Sequence, residues 1–259
     1  MAEVSGAQTS QWMVGPSDAL AQPPILTQSR LADSSLSQDV TDQVREMLGP
    51  VMVPVIPFLP QYRPCSFGDG LPSPTSLKTF RVFYAGRIEV NKGVFDLLQI
   101  ARRFAAEGYT DIEFDLCGEG NELAALRKAA QRSGVLPRFR IHGHATKDFM
   151  REMHLRCHAV IASTRSSFIE GFNKVVAEGV LAGRPVVTSS VCPALEYLRG
   201  AVIEVTPDDV RAHGDALLQL RNKPDLAEIK RLGAIEARAL FYDASRNWDA
   251  SLRKALDLD

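Results

Sequence analysis

The chain has 259 residues, 45% of them hydrophobic and 24% charged, with a formal net charge of -1. This is the composition of a globular domain of ordinary size, and its charge balance gives no global attraction for nucleic acid or for an anionic membrane surface. No apolar run approaches the roughly 18 residues of a membrane span, the N-terminus lacks the basic start and apolar stretch of a secretory signal, and four scattered cysteines, Cys65, Cys117, Cys157 and Cys192, read as reduced thiols of a protein expected in the cytoplasm.

Residues 1–22 are rich in Ser, Gln, Ala, Gly and Pro without apolar periodicity, which predicts a disordered tail. Residues 23–60 form a small unit: a short strand at 25–27, a helix carrying Leu36, Val40, Val44, Met47 and Leu48 and stopped by Gly49, and a strand at 51–56. It is too small to hold a core alone, so it is expected to lean on the larger domain C-terminal to it or on a further segment or partner. Residues 61–79, dense in Pro, Gly and Ser, read as a linker. From residue 80 onward apolar strands alternate with amphipathic helices. Strands are expected at 81–86, 112–117, 139–142, 158–162, 185–188 and 202–205. Helices are expected around Val94 to Phe104, Leu123 to Ala130, Phe149 to Met153, from Asn173, and at 194–198, and three more close the chain at 208–220, 225–239 and 245–256. This rhythm predicts an α/β fold, a doubly wound parallel sheet, over residues 80–259. Such sheets bind ligands in loops at the carboxyl ends of their strands.

Those loops hold the residues of interest. After Gly86 come Arg87 and Lys92, with Gly93 opening a helix; two cations near free N–H groups suit a phosphate or diphosphate, or are simply solvated charges. After Cys117 comes Gly118-Glu119-Gly120. A dinucleotide fingerprint would need a third glycine where Leu123 stands, and an acidic ribose ligand where Arg140 and His142 stand, so that reading is disfavoured. His144 and Thr146 either border a base or belong to a capped helix start. His154, Cys157 and His158 straddle a helix end and a strand, and their side chains should diverge, so no metal site is expected there. Residues 163–187 carry two carboxylates. Glu170 stands before Gly171, Phe172 and Asn173, an acceptor beside helix-mouth donors that suits a polyhydroxyl ligand. Glu178 lies on a helix that is apolar almost all round, where a carboxylate needs a partner. Two readings of Glu178 stand: pairing with Lys174 one turn back, or contact with a ligand.

Taken together, G-R-x-x-x-x-K-G at residues 86–93, G-x-G at 118–120, E-G-F-x-x-x-x-x-E at 170–178 and A-G-R-P-V-V at 182–187 resemble the donor half of a family 4 retaining glycosyltransferase with the GT-B fold, over about residues 80–240. The resemblance implies catalytic roles for Glu170, Arg87 and Lys92. Arg87 and Lys92 would hold the diphosphate of a nucleotide sugar, and Glu170 the sugar hydroxyls. Gly171, Phe172 and Asn173 would present backbone donors, Glu178 would hold the ribose, and Gly86, Gly118, Glu119, Gly120, His144 and Thr146 would line the remaining donor site. It implies no cofactor and no metal, since the two cations take that part. Asn173 and Gly179 depart from the family's usual Gly and Ala. The larger departure is length: residues 23–60 resemble only the last unit of the acceptor domain, so the unknown acceptor implies a partner or segment that carries the rest. A non-catalytic nucleotide-sugar-binding module, a partner-dependent subunit and a nucleotide-sugar epimerase are the alternatives. A phosphorylase is opposed by the lack of a lysine-bound cofactor site.

Overall fold

The computed structural model describes residues 33–35, 41–42, 45–46, 55–67 and 78–256. The expected tail at 1–22, the strand at 25–27 and the centre of the linker at 68–77 lie outside them. Strands β1 (Asp33–Ser35) and β2 (Val55–Pro57) pair in parallel as a two-stranded sheet. Parallel pairing requires a crossover, and Thr41, Asp42, Arg45 and Glu46 between the two strands are helical. The chain then passes Leu59, which is buried, and makes a short helix, α1 (Pro64–Phe67), inside the stretch expected to be linker.

The main sheet contains β3 (Phe80–Ala85), β4 (Ile112–Cys117), β5 (Phe139–Gly143), β6 (Ala159–Ile161), β7 (Val186–Ser189) and β8 (Val202–Val205). Their order is β5-β4-β3-β6-β7-β8, and every pairing is parallel. The helices between and after them are α2 (Val94–Ala106), α3 (Leu123–Arg132), α4 (Lys147–Arg156), α5 (Lys174–Leu181), α6 (Leu195–Leu198), α7 (Val210–Asn222), α8 (Pro224–Tyr242) and α9 (Trp248–Ala255).

Strand alternation divides the core into two layers. On β3, Val82 and Tyr84 face a cluster built with α2, α3 and α7, including Leu97, Leu126 and Leu217. Phe83 and Ala85 face the opposite cluster, built with α4, α5, α6 and α8, including Met153, Val176, Leu195 and Phe241. Side-chain caps start three of the helices: Thr146 accepts from the Phe149 N–H of α4, Asp209 from Ala212 of α7, and Asn247 from Ala250 of α9. Among the described residues no helix is long and apolar enough to cross a membrane.

The feature that positions a site is the reversal of strand order between β3 and β6. From β3 the chain winds outward through β4 and β5, then returns across the sheet to β6 and continues the other way. The chain leaves β3 for a helix on one face of the sheet and β6 for a helix on the other, which opens a crevice at this point of the carboxyl edge. Those loops are residues 86–93 and 162–173.

Candidate functional site

Gly86 and Arg87 come directly after the end of β3. The loop is stitched to its neighbour by the backbone: Gly86 N–H donates to the Cys117 carbonyl (3.0 Å), Ile88 N–H to the Glu119 carbonyl (2.8 Å), and Glu122 N–H to the Ile88 carbonyl (3.1 Å). Such an approach leaves no room for a Cβ at Gly118 or Gly120, whose missing side chains would collide with the Gly86 and Ile88 carbonyls. The G-x-G turn thus serves contact between the two loops. Gly118 N–H in turn donates to the Gly143 carbonyl (2.8 Å). The loops consequently line up along the sheet edge as 143–146, 118–120, 86–93 and 163–173.

The 86–93 loop ends in a 3-10 turn, Val90–Lys92, closed by Gly93 at φ 70. A side chain on Gly93 would strike the Ser163 carbonyl oxygen. With only hydrogen there, the β3 and β6 loops close on each other. Ser163 Oγ donates to the Lys92 carbonyl (3.1 Å), and Arg165 N–H donates to the Asn91 carbonyl (2.9 Å).

This contact brings Lys92 to Glu170. Lys92 Nζ forms an ion pair with Glu170 Oε1, which also accepts from the Thr164 hydroxyl at 3.1 Å. Both side chains of the pair are only 12% exposed. Arg87, by contrast, is 57% exposed and touches Glu89 Oε1 at 3.0 Å. The Phe168 ring lies under both cations, 3.9 Å from Lys92 Nζ and 5.4 Å from the Arg87 guanidinium carbon. Below them the Tyr84 hydroxyl donates to the Arg87 carbonyl at 2.8 Å; burial, then the charges of Glu170 and Glu89, push its phenol well above the usual range.

A second ion pair fixes the β6 loop from behind. Arg165 Nη1 donates to both carboxylate oxygens of Asp96 on the first turn of α2 (2.9 and 3.0 Å), and its Nε lies 3.6 Å from Asp208. Burial raises the Asp96 carboxyl, with Arg165 opposing that rise. Asp208 sits at a left-handed φ of 60 and accepts from the Ser166 N–H (3.1 Å) and hydroxyl.

Beyond Glu170, Gly171 is exposed and Phe172 is buried against Tyr197 and Phe241. Asn173 leads into α5 at φ 56, a conformation that Asn tolerates better than most residues. Its substitution for the family's usual Gly therefore falls where left-handed backbone is needed. Glu178, half-buried on α5, takes its hydrogen bond from Tyr62 (3.4 Å), while Lys174 is exposed to solvent and acts on it only through its charge. Burial raises the Glu178 carboxyl; the Tyr62 hydrogen bond and then Lys174 oppose this. The one-turn ion pair within the helix is replaced by a contact with a residue 116 positions away.

The outer loops are less engaged. Glu119 and His144 are exposed, and the Thr146 hydroxyl is occupied in capping α4. His154, Cys157 and His158 diverge: His154 is buried edge-on to Phe83, the Cys157 thiol lies 3.6 Å from the His154 carbonyl, and His158 Nδ1 accepts from the Arg81 N–H. No group of three potential metal ligands occurs among the described residues.

A cleft of about 280 Å³ opens at the carboxyl edge, lined by Phe168, Ile169, Glu170, Val191 and Pro193, and by Asp42 and Glu46 of the N-terminal segment. A larger one, about 540 Å³, opens at the opposite edge beside Phe80, Asp111 and His158. Its cations are already paired, Arg221 with Asp111 (2.8 Å) and Arg231 with Glu228 (2.6 Å). Strand topology favours the smaller cleft as the functional one. Tyr62 touches Glu178, Phe168 touches Lys92 and Arg87, and Arg165 anchors the β6 loop, although no motif marks these three in the sequence. Phe168, two residues before Glu170, is the one of the three with a local signal.

A parallel sheet of this order, with helices on both faces and cationic and acidic loops facing each other where the order reverses, is a Rossmann-like α/β fold. The family described as "Glycosyl transferases group 1" matches residues 79–223, more than half of the chain, and the chain belongs to that family. A curated relative, the 2-deoxystreptamine N-acetyl-D-glucosaminyltransferase of Niallia circulans, is 26% identical over 153 residues, covering 58% of this chain and 38% of its own length. Anabaena HepE, solved in complex with UDP and glucose, superposes with a TM-score of 0.71 at 17% identity, over 87% of this chain and 62% of that one. TarM of S. aureus, in a complex that includes UDP, gives 0.68 at 17% identity, over 87% and 43%. The chain spans less than two thirds of each of these proteins.

Proposed function

We propose that this chain is the donor-binding part of a retaining glycosyltransferase of the family 4 type. It would move a sugar from a nucleoside diphosphate sugar to an acceptor held largely by a partner or segment other than residues 80–259. The observation that carries this reading is the Lys92–Glu170 pair across the sheet crevice with Arg87 beside it. When the bond from the sugar C1 to the diphosphate oxygen breaks, negative charge develops on the leaving phosphate. Fixed positive charge there lowers the barrier without reorganisation. Arg87, exposed and loosely held, would close on the diphosphate. Lys92 would turn part of its charge from Glu170 to the phosphate, and Glu170 would then accept from sugar hydroxyls. Glu178 would accept from the ribose. These two cations take the part of a divalent ion, so a metal is not required. UDP is the natural first probe, since HepE and TarM were solved with it.

The test is calorimetric titration of the full chain with UDP in the presence of EDTA. Binding without metal is expected, weakened at least about tenfold in Arg87→Ala and Lys92→Ala, as suits loss of a charge-assisted contact. Unchanged affinity in both variants, or binding only with added divalent ion, would sink the assignment. Retention is tested separately, by the anomeric configuration of the first-formed product.

A further inference from the structure

The matched family region begins at residue 79, yet a side chain well before it reaches Glu178. We propose that Tyr62 is a positioning residue of the nucleotide site, holding the Glu178 carboxylate for the ribose hydroxyls of the donor. This rests on the reading of Glu178 as the ribose acceptor.

The geometry supports holding rather than blocking. The Tyr62 hydroxyl donates to Glu178 Oε1 at 3.4 Å, which leaves Oε2 to accept from a diol. Tyr62 itself is anchored. Its N–H donates to the Phe241 carbonyl at the end of α8 (3.0 Å), and its ring packs edge-on against Phe67 (5.8 Å) and Phe241 (6.3 Å). A ring held by backbone and by two aromatic neighbours is not poised to swing away when a ligand arrives. Phe241 also packs on Phe172, 6.0 Å between centroids, so one aromatic post supports both Tyr62 and the Glu170-Gly171-Phe172 turn. Glu178 needs such a partner. It sits half-buried on a helix whose other core positions, Val176, Ala177 and Val180, offer no hydrogen bond, and Lys174 points to solvent. A carboxylate left without a donor there would be less ionised and free to rotate, both adverse to gripping a diol. Segment 58–67 is thereby part of the donor pocket, and not only a connection to the N-terminal unit.

The test titrates UDP and 2′,3′-dideoxy-UDP into the wild-type chain, Tyr62→Phe, Glu178→Gln and the double variant, with melting temperatures as a check on folding. Tyr62→Phe removes one oxygen and keeps the ring packing. The expected result is a loss of about fivefold in UDP affinity, no loss for the dideoxy nucleotide, and no further loss when Tyr62→Phe is added to Glu178→Gln. Several outcomes overturn the proposal while leaving the ribose role of Glu178 intact: Glu178→Gln weakens UDP binding but Tyr62→Phe does not; Tyr62→Phe binds UDP more tightly, as a competing latch would; or it loses UDP and the dideoxy nucleotide equally. If Glu178→Gln leaves UDP binding unchanged, the ribose role of Glu178 fails and this proposal fails with it; if the wild-type chain does not bind UDP, the donor-site reading fails as well.

Discussion

Replacing Arg165 by Ala removes the ion pair that fixes the β6 loop from behind. Arg165 gives Asp96 two charge-assisted hydrogen bonds at 2.9 and 3.0 Å, and the Asp96 side chain is only 8% exposed. Burial already raises the Asp96 carboxyl against the pull of Arg165. Removing one partner of a fully buried pair costs about 3–5 kcal/mol. Arg165 is 36% exposed, so water screens part of the interaction and a loss of about 2 kcal/mol is expected. Urea unfolding of wild type, Arg165→Ala, Asp96→Asn and the double variant measures it. The double variant should lose less than the sum of the singles, because Asp96→Asn removes the buried charge that Arg165 neutralises. UDP affinity should fall as well, since the Arg165 side chain anchors to Asp96 the loop whose backbone N–H meets the Asn91 carbonyl. A loss below about 0.5 kcal/mol, within the range of an ordinary surface substitution, or strictly additive singles, would refute the view that this pair holds the β6 loop against α2.

The same contacts set other outcomes. Gly93→Ala combines a left-handed φ of 70 with a collision against the Ser163 carbonyl; a loss of about 3 kcal/mol is expected, with weakened UDP binding because the β3 and β6 loops must part. A variant with unchanged melting temperature would contradict the packing of these loops. His154 is pushed down to about 4 from 6.5 by burial, then by the charge of Arg184. As pH falls below 6.5 the unfolded chain takes up the proton first, so stability should decline between pH 6.5 and about 4, by up to about 3 kcal/mol, and be level above that window. His213, shifted the same way by burial, adds to the decline. Urea midpoints against pH should be flatter in His154→Gln than in wild type, and identical slopes would show that His154 is not buried neutral.

The sheet is legible in the sequence because its strands and helices differ in period and because each strand end carries a break. Each expected strand overlaps an observed one from β3 to β8, with ends that differ by no more than a residue, and topology then sets the loops of Arg87, Lys92 and Glu170 together. The features that sequence does not disclose depend on distant pairing. β1 is Asp-Ser-Ser, with no strand propensity of its own; its place is set by pairing with β2. α1 falls in a stretch whose Pro and Ser content reads as linker, yet Phe67 and Tyr62 pack into the aromatic group around Phe241. Helical spacing makes Lys174 the neighbour of Glu178 and so its expected partner. An exposed Lys gains little from a partly buried carboxylate, and the anchored Tyr62 takes the bond instead. The glycines at 118 and 120 show the converse: the motif is visible, but only the fold reveals that another loop fills the space they leave.

The most direct measurement is a crystal structure of the full chain with UDP in metal-free solution. The diphosphate is expected between Arg87 and Lys92 at the carboxyl edge of the sheet, with the ribose against Glu178 and the Lys92–Glu170 pair loosened to admit it. Nucleotide bound in the cleft beside Asp111 and Arg221 at the opposite edge, or at the carboxyl edge without contact to either cation, would contradict the assignment of the donor site.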